Sequence, residues 1–145
     1  LKFLGDAEES AVDEIVMRIV KATEGLQPFR IRLKGMGAFP SMSNIRVVWV
    51  GIEDGGPLER IAEELDESMS ELGFVREKRG FRPHLTLART RSARNIANVQ
   101  EILVENAATD YGEYTVDRVL LKKSVLTPNG PTYSTVRERI LVPAR

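Results

Sequence analysis

Hydrophobic and polar positions along the chain follow two different periods, which predict where helices and strands lie. Apolar residues recur three or four positions apart in some segments, as expected for helices that bury one face. Other segments alternate or are briefly apolar throughout, as expected for strands. Helices are predicted at residues 6–25, at 57–71 and after Ser92, and strands at 1–4, 29–33, 45–52, 84–89, 114–126 and 133–142.

Individual residues mark the ends of these elements. Asp6 and Glu9 fit a capping box at the start of the first helix. Pro57 suits the first position of the second helix, and Ser92 suits the N-cap of the third. The strand that starts at Phe29 is expected to fade at Gly35 and Gly37, since glycine weakens a strand interior.

The order of the elements indicates an α+β fold. Strands that follow one another along the chain can pair as hairpins, and hairpins beside helices are typical of antiparallel sheets covered on one side. The chain has 145 residues, 42% of them hydrophobic, which is the size of one domain with a real core. We therefore expect residues 1–145 to form a single α+β domain with mainly antiparallel sheets.

Charge and cysteine content narrow the classes of function. The 21 basic and 21 acidic residues cancel, so the protein lacks the overall positive field of a nonspecific nucleic-acid binder and any RNA contact must be local. The absence of cysteine excludes thiolate nucleophiles and cysteine-rich zinc sites. The apolar runs are too short to cross a bilayer, so a cytoplasmic protein without membrane contact is expected.

The single histidine, His84, lies at the start of a predicted strand in the sequence Arg-Pro-His-Leu-Thr-Leu. Residues two apart share one face of a strand, so His84 and Thr86 point the same way. A histidine can transfer a proton near neutral pH, a threonine can donate a hydrogen bond to a phosphoryl oxygen, and the flanking Arg82 and Arg89 suit phosphate binding. The alternative is an ordinary histidine at a strand end, with Thr86 present for its β propensity.

Other catalytic schemes find little support. A serine hydrolase of the nucleophile-elbow type needs a Gly-x-Ser-x-Gly turn, and a nucleotide-binding loop needs its glycine pattern; neither occurs in the sequence. The carboxylates Glu63, Glu64 and Asp66 lie on a predicted amphipathic helix, where a solvent-facing role is expected rather than a metal or acid-base site. The basic loop at residues 76–82 also fits a solvated loop.

Four stretches of the sequence resemble one protein family. Residues 82–89 are similar, almost letter for letter, to the second signature of the two-histidine phosphoesterases, and residues 1–5 resemble the end of their first signature. Phe39-Pro40 with residues 46–49, and residues 120–126 with the Gly-Pro-x-Tyr that ends at Tyr133, extend the resemblance over nearly the whole chain. Within that superfamily the chain resembles the RNA 2',3'-cyclic phosphodiesterases, also called 2'-5' RNA ligases.

The resemblance implies a bilobed fold with two mainly antiparallel sheets, flanked by helices, around a central cleft. Each lobe would supply one His-x-Thr, with one histidine as general base and the other as general acid, and with no metal or cofactor. Carried over by motif, His84 and Thr86 are the catalytic residues of one half, and Arg89 contacts phosphate. Looser expectations place four more residues at the substrate: Phe3 against a base, and Lys122, Lys123 and Tyr133 near the cleft.

The chain departs from the family pattern in having one histidine instead of two. We therefore expect that an N-terminal strand-helix segment with the first His-x-Thr is missing, and that it could be retained as a bound fragment. One imidazole cannot serve as acid and base in a single in-line step, so the 145 residues alone are expected to be nearly inactive.

The resemblance implies RNA with 2',3'-cyclic phosphate ends as the substrate, tRNA fragments among them, and 2'-5' ligation as a reverse activity. Two other functions stay open. One is a noncatalytic module of the same superfamily that binds nucleotides or RNA. The other is a phosphodiesterase for small cyclic nucleotides.

Overall fold

The computed structural model describes residues 1–92 and 94–143, which belong to two compact units. Unit 1 contains Leu1–Phe29, Glu59–Phe81 and the chain from Val116 onward; unit 2 contains Arg30–Leu58 and Arg82–Thr115. Each unit has its own hydrophobic core. The chain thus passes repeatedly from one unit to the other.

The described residues form three α-helices and six strands, and the strands make two sheets. Three of the strand pairs are antiparallel, which confirms the expected α+β class with mainly antiparallel sheets. None of the described helices is long and apolar enough to cross a membrane. The predicted cleft between two lobes stays a prediction. The elements are a short 3-10 turn at Glu9–Ala11, α1 Val12–Ala22, β1 Phe29–Ser41, β2 Asn44–Glu53, α2 Pro57–Ser70, β3 His84–Arg89, α3 Ile96–Glu105, β4 Asp110–Val116, β5 Arg118–Thr127 and β6 Gly130–Ile140.

Unit 2 is a four-stranded sheet in the order β3-β2-β1-β4, in which β2 is antiparallel to both β1 and β3. Helix α3 covers one face of this sheet. The buried residues there are Ile45, Val48 and Leu103, with Met36, Ala38, Ile96 and Val99 packed against them.

Unit 1 consists of the antiparallel hairpin β5–β6 together with α1 and α2. The apolar faces predicted for both helices are confirmed, because Ile15, Ile19, Ile61, Leu65 and Met69 are all buried in one cluster with Val119 of β5. Pro57 is the first residue of α2, as predicted.

The two other predicted helix starts are wrong. The capping box of Asp6 and Glu9 is not formed: Glu8 precedes a 3-10 turn without a side-chain cap, and α1 begins only at Val12. Helix α3 begins at Ile96 after Asn95, whose φ of 60° is left-handed. Ser92 lies earlier, where its Oγ accepts a hydrogen bond from the Arg94 N–H at 3.4 Å, so local turn chemistry replaces the expected cap.

Strand β1 continues past Gly35 to Ser41, so the expected end of this strand is wrong. The two glycines inside it allow close packing. A Cβ at Gly35 would lie 2.5 Å from the Ala107 carbonyl oxygen, and one at Gly37 would lie 2.3 Å from the Trp49 ring. These glycines therefore do not end the strand; they allow the Ala107 carbonyl and the Trp49 ring to pack closely against it.

The single strand predicted at residues 114–126 is two strands that belong to different sheets. Strand β4 ends at Val116 and joins the sheet of unit 2, whereas β5 begins at Arg118 and pairs with β6. Only Asp117 separates them, which is too short a break for hydropathy to reveal.

Residues 1–4 are not a strand, and side chains hold this segment in place. The Lys2 ammonium, whose side chain is 3% exposed, lies 2.5 Å from Asp66 Oδ1 and donates to the Val75 carbonyl at 2.9 Å. Asp66 also accepts hydrogen bonds from the Glu77 N–H at 2.9 Å and from Arg76. The expectation of a solvent-facing role for Asp66 is therefore wrong, because its side chain is 16% exposed and joins three segments.

The hydrogen bond from Lys2 lowers the pKa of Asp66, and the Glu77 N–H lowers it further against the opposing effect of burial. A carboxyl with a lowered pKa in the folded state stabilises the fold above its unfolded pKa, about 3.9, and loses this effect as pH falls through the folded value.

We predict that Asp66→Asn destabilises the protein at pH 7 by about 1.5–3 kcal/mol, because Lys2 keeps a buried charge without its anion. Urea unfolding measures this difference. Below pH 4 the difference should shrink, since wild-type Asp66 also becomes neutral. The matched control is Glu63→Gln on the exposed side of α2. An equal loss in both variants would contradict the role of the Lys2–Asp66 pair.

Candidate active site

The pairing of β3 with β2 decides where the side chains of the histidine strand point. His84 lies opposite Gly51, and Thr86 lies opposite Trp49. Paired residues share one face of a sheet, and Gly51 and Trp49 are two residues apart on β2. His84 and Thr86 therefore lie on one face, as predicted, and this is the face opposite to α3. Both side chains are exposed.

Arg89 lies on the same face because the pairing shifts by one residue. It is five positions from His84, and strict alternation would place it on the opposite face. However, Val48 pairs with Ala88 while Trp49 pairs with Thr86, so Leu87 is an extra residue in a β-bulge. Arg89 then pairs with Val47 and joins His84 and Thr86. We call this surface the site face, and its described members are Gly37, Phe39, Val47, Trp49, Gly51, His84, Thr86 and Arg89.

A backbone contact determines which nitrogen of His84 is available. His84 Nδ1 lies 2.6 Å from the Arg82 carbonyl oxygen. A carbonyl oxygen can only accept, so Nδ1 carries the hydrogen and donates it. Pro83 holds Arg82 in the extended conformation that presents this carbonyl. In the neutral ring Nε2 is then a proton acceptor, and in the imidazolium ring it is a donor, which is what acid-base chemistry needs.

Two aromatic rings support the imidazole from β1 and β2. The Phe39 ring meets the His84 ring edge to face, with centroids 5.1 Å apart at 83°, and it packs against Trp49 at 5.3 Å. The Trp49 indole in turn covers Gly37, where even a methyl group would clash. Sequence reasoning noted Phe39 and Trp49 only as family matches and missed their role, because a contact across three strands has no short-range signal.

The arginines that flank His84 in sequence differ from those of β1 in their ion-pair partners. Arg32 of β1 pairs with Asp110 and Glu113 of β4, and Glu113 also accepts from Arg30. The hydrogen bonds from Arg30 and Arg32 lower the pKa of Glu113. Arg82 and Arg89 take part in none of the ion pairs formed by the described residues, and both are exposed. Their charge is available to an anion.

The other predicted site residues belong to unit 1. Phe3 is 81% exposed, and Tyr133 is 63% exposed on β6. Lys122 donates a hydrogen bond to the Thr135 hydroxyl at 3.0 Å, and Lys123 is exposed. The roles of these residues and of Arg82, His84, Thr86 and Arg89 in binding or catalysis stay predictions. Across residues 1–92 and 94–143, no three His, Cys, Asp or Glu side chains form a metal-binding group.

Comparisons with known proteins agree on one family. Residues 1–125 match the model of the 2'-5' RNA ligase superfamily. The chain is 41% identical over 139 residues to the RNA 2',3'-cyclic phosphodiesterase of Aeropyrum pernix, and this covers 95% of the chain and 78% of that protein. It is 37% identical over 138 residues to the enzyme of the same name from Methanocaldococcus jannaschii, with 95% and 76% covered.

Solved structures show the same fold. A protein of Thermus thermophilus superposes with a TM-score of 0.78 at 29% identity, over 96% of this chain and 74% of that one. Escherichia coli LigT, crystallised with 3'-AMP, superposes with a TM-score of 0.74 at 21% identity, over 98% of this chain and 75% of that one.

We predict that Gly37→Ala disturbs the site face, because the new methyl group would push Trp49 toward Phe39 and His84. Overpacking of this kind costs about 1–3 kcal/mol. Trp49 is the single tryptophan and His84 the single histidine, so fluorescence and one imidazole NMR signal report the change directly. Gly80→Ala is the control, since a Cβ there has no atom within 4 Å. Unchanged Trp49 emission and His84 shifts in Gly37→Ala would contradict this packing.

Proposed function

Because the chain belongs to the 2'-5' RNA ligase superfamily, we propose that it is an RNA 2',3'-cyclic phosphodiesterase, which opens the cyclic phosphate to a 2'-phosphomonoester. Similar proteins that carry this activity as their name support the proposal over 95% of the chain. The observation that carries it is the site face, on which His84, with Nε2 as the available nitrogen, shares one side of the sheet with Thr86 and Arg89. The reaction requires two proton transfers and ligands for the phosphate, and the site face supplies a group for one of the transfers together with two phosphate ligands.

Each group on the site face has a proposed task. Water attacks phosphorus, the bond from phosphorus to O3' breaks, the water loses a proton to a general base, and O3' gains one from a general acid. His84 Nε2 performs one of these two proton transfers, and the resemblance implies a second histidine for the other. Thr86 donates a hydrogen bond to a nonbridging oxygen, and Arg82 and Arg89 offset the growing negative charge. Phe3 stacks on a base.

The reverse ligation uses the same site. When an RNA 5'-hydroxyl replaces water as the nucleophile, opening of the ring leaves a 2'-5' phosphodiester. The proton transfers are the same, so the proposal includes ligation as a second activity. RNA with cyclic phosphate ends, such as tRNA fragments, is the proposed substrate, and the cytoplasm is the proposed location.

A noncatalytic binding module is the second candidate function, and the single histidine of the sequence favours it. Both candidates bind a phosphate on the site face, but only the enzyme needs the proton of His84. Replacement of His84 by Asn, which is polar and uncharged, distinguishes the two: an enzyme loses turnover, whereas a binder retains most of its affinity.

We predict that, in a form of the protein that also carries the first His-x-Thr implied by the resemblance, His84→Ala and His84→Asn lower hydrolysis of cytidine 2',3'-cyclic phosphate by about 100- to 10,000-fold, the range typical of a lost acid-base group. Chromatography of the 2'-phosphate product measures the rate. A rate that survives both substitutions would rule out catalysis by His84.

A binding measurement does not depend on turnover. Cytidine 2'-phosphate should shift the single imidazole NMR signal, because a phosphate oxygen would accept a hydrogen bond from Nε2. A signal unchanged by saturating product would contradict phosphate binding on the site face.

In the same form of the protein, with both His-x-Thr motifs, we predict that Thr86→Val lowers kcat by about 100-fold or more, as loss of a donor to a developing oxyanion does. Thr86→Ser keeps the hydroxyl and should retain most of the activity, so kcat for the pair isolates the hydrogen bond from strand packing. Equal activity of the Val and Ser variants would assign Thr86 a structural role only.

A further inference from the structure

The charges of unit 2 are balanced on one side of its sheet and unbalanced on the other. On the β1–β4 side each arginine has a carboxylate partner. At the opposite edge, β3 and the chain after it, residues 82–100, contain four arginines and no Asp or Glu, and residues 36–52 contain Arg46 as their single charged residue. A protein without net charge thus has a positive strip along the β3 edge, which attracts a polyanion locally.

A groove lies at the end of this strip, beyond Arg89. It has a volume of about 300 Å³ and runs between the β1–β2 turn and the chain that follows β3. Arg46 and Arg91 are its charged lining residues, Ser43, Asn44 and Ser92 add polar groups, and no carboxylate is among its described lining residues. It is large enough for a phosphate with part of its sugar.

Hydrogen bonds hold both walls of the groove in place. The Thr90 N–H donates to the Arg46 carbonyl at 3.0 Å, and the Thr90 hydroxyl donates to the Ile45 carbonyl at 2.7 Å. Arg46 Nε donates to Asn44 Oδ1 at 3.3 Å, which leaves both terminal amino groups of the guanidinium for another acceptor. Neither Arg46 nor Arg91 forms an ion pair in the part of the chain that the structure describes. The groove is therefore preorganised for an anion.

The groove is too far from His84 to serve the same phosphate. Arg91 is seven positions after His84, and the bulge at Leu87 takes up one of them, so the span corresponds to about 20 Å of extended chain at ~3.3 Å per residue. A mononucleotide held at His84 does not extend that far, whereas the preceding nucleotides of an RNA chain can follow the β3 edge. Arg89 lies between the two places, on the site face.

We propose that the Arg46–Arg91 groove is a second phosphate subsite, which binds an internal phosphodiester of an RNA chain whose cyclic 3' end lies at His84. This inference rests on the proposed function and names its substrate class, oligonucleotides in preference to mononucleotides. The groove adds affinity through charge and not through base recognition, so the preference is independent of sequence and sensitive to salt.

The test compares two ligands that need no turnover: a 5'-labelled RNA hexanucleotide ending in a 2'-phosphate, followed by fluorescence anisotropy, and cytidine 2'-phosphate, followed by the His84 NMR signal. The double variant Arg46→Gln/Arg91→Gln should bind the hexanucleotide about tenfold more weakly, as expected for two exposed charge pairs, and the mononucleotide unchanged. The slope of log Kd against log salt should fall by about 0.7 for each phosphate that the variant no longer neutralises.

The control variant is Lys21→Gln/Arg60→Gln, which removes two exposed cations from α1 and α2. It should leave both affinities unchanged, while Arg46→Lys/Arg91→Lys should retain most of the hexanucleotide affinity. The subsite is overturned if the control weakens hexanucleotide binding as much, if the groove variant weakens both ligands equally, or if the wild type binds both ligands alike. If the hexanucleotide binds through the groove but cytidine 2'-phosphate leaves the His84 signal unchanged, the subsite stands and the proposed function fails.

Discussion

The pairing of β3 with β2 is the interaction on which the candidate site depends. Among the described strands β3 lies at the edge of the sheet and pairs with β2 alone, so the register of this one ladder sets which side chains face away from α3. A shift by one residue would turn His84 and Thr86 toward the core. The bulge at Leu87 uses such a shift locally, after Thr86, and thereby adds Arg89 to the same face. Backbone geometry thus places the groups proposed for proton transfer and for phosphate binding on one face of the sheet.

The same face is supported by residues that are unfavourable in isolated strands. Gly37 and Gly51 both weaken β propensity, yet a side chain at either position would collide with Trp49 or with the Lys34 carbonyl. The β propensity lost at these glycines leaves room for Trp49 to pack on the sheet, where it contacts Phe39, and Phe39 in turn contacts the imidazole. Conflicts of this kind between local and global structure are typical of functional sites.

Charged side chains also differ between the two sides of the unit 2 sheet in whether they have partners. Asp110 and Glu113 pair with arginines on the β4 side of the unit 2 sheet, and Asp66 of unit 1 pairs with Lys2, whereas Arg82 and Arg89 join none of the ion pairs of the described residues. A net charge of zero therefore says little about how the surface looks to RNA. The expectation that any RNA contact must be local is consistent with this pattern, and the positive strip along β3 is where such a contact is proposed.

The sequence by itself determined the elements with strong periodicity, the α+β class and the family, because amphipathic faces and a nearly complete signature at residues 82–89 are local signals. It also placed His84 and Thr86 on a common face, since a period of two needs no partner strand. Only the tertiary structure decided what depends on contacts between distant segments. They include the ion pair of Asp66 with Lys2 and the continuation of β1 past its two glycines. They also include the separation of β4 from β5 at Asp117 and the bulge that places Arg89 on the site face. Each depends on contacts or strand register between segments that are far apart in the sequence. The local sequence around a residue does not encode such contacts.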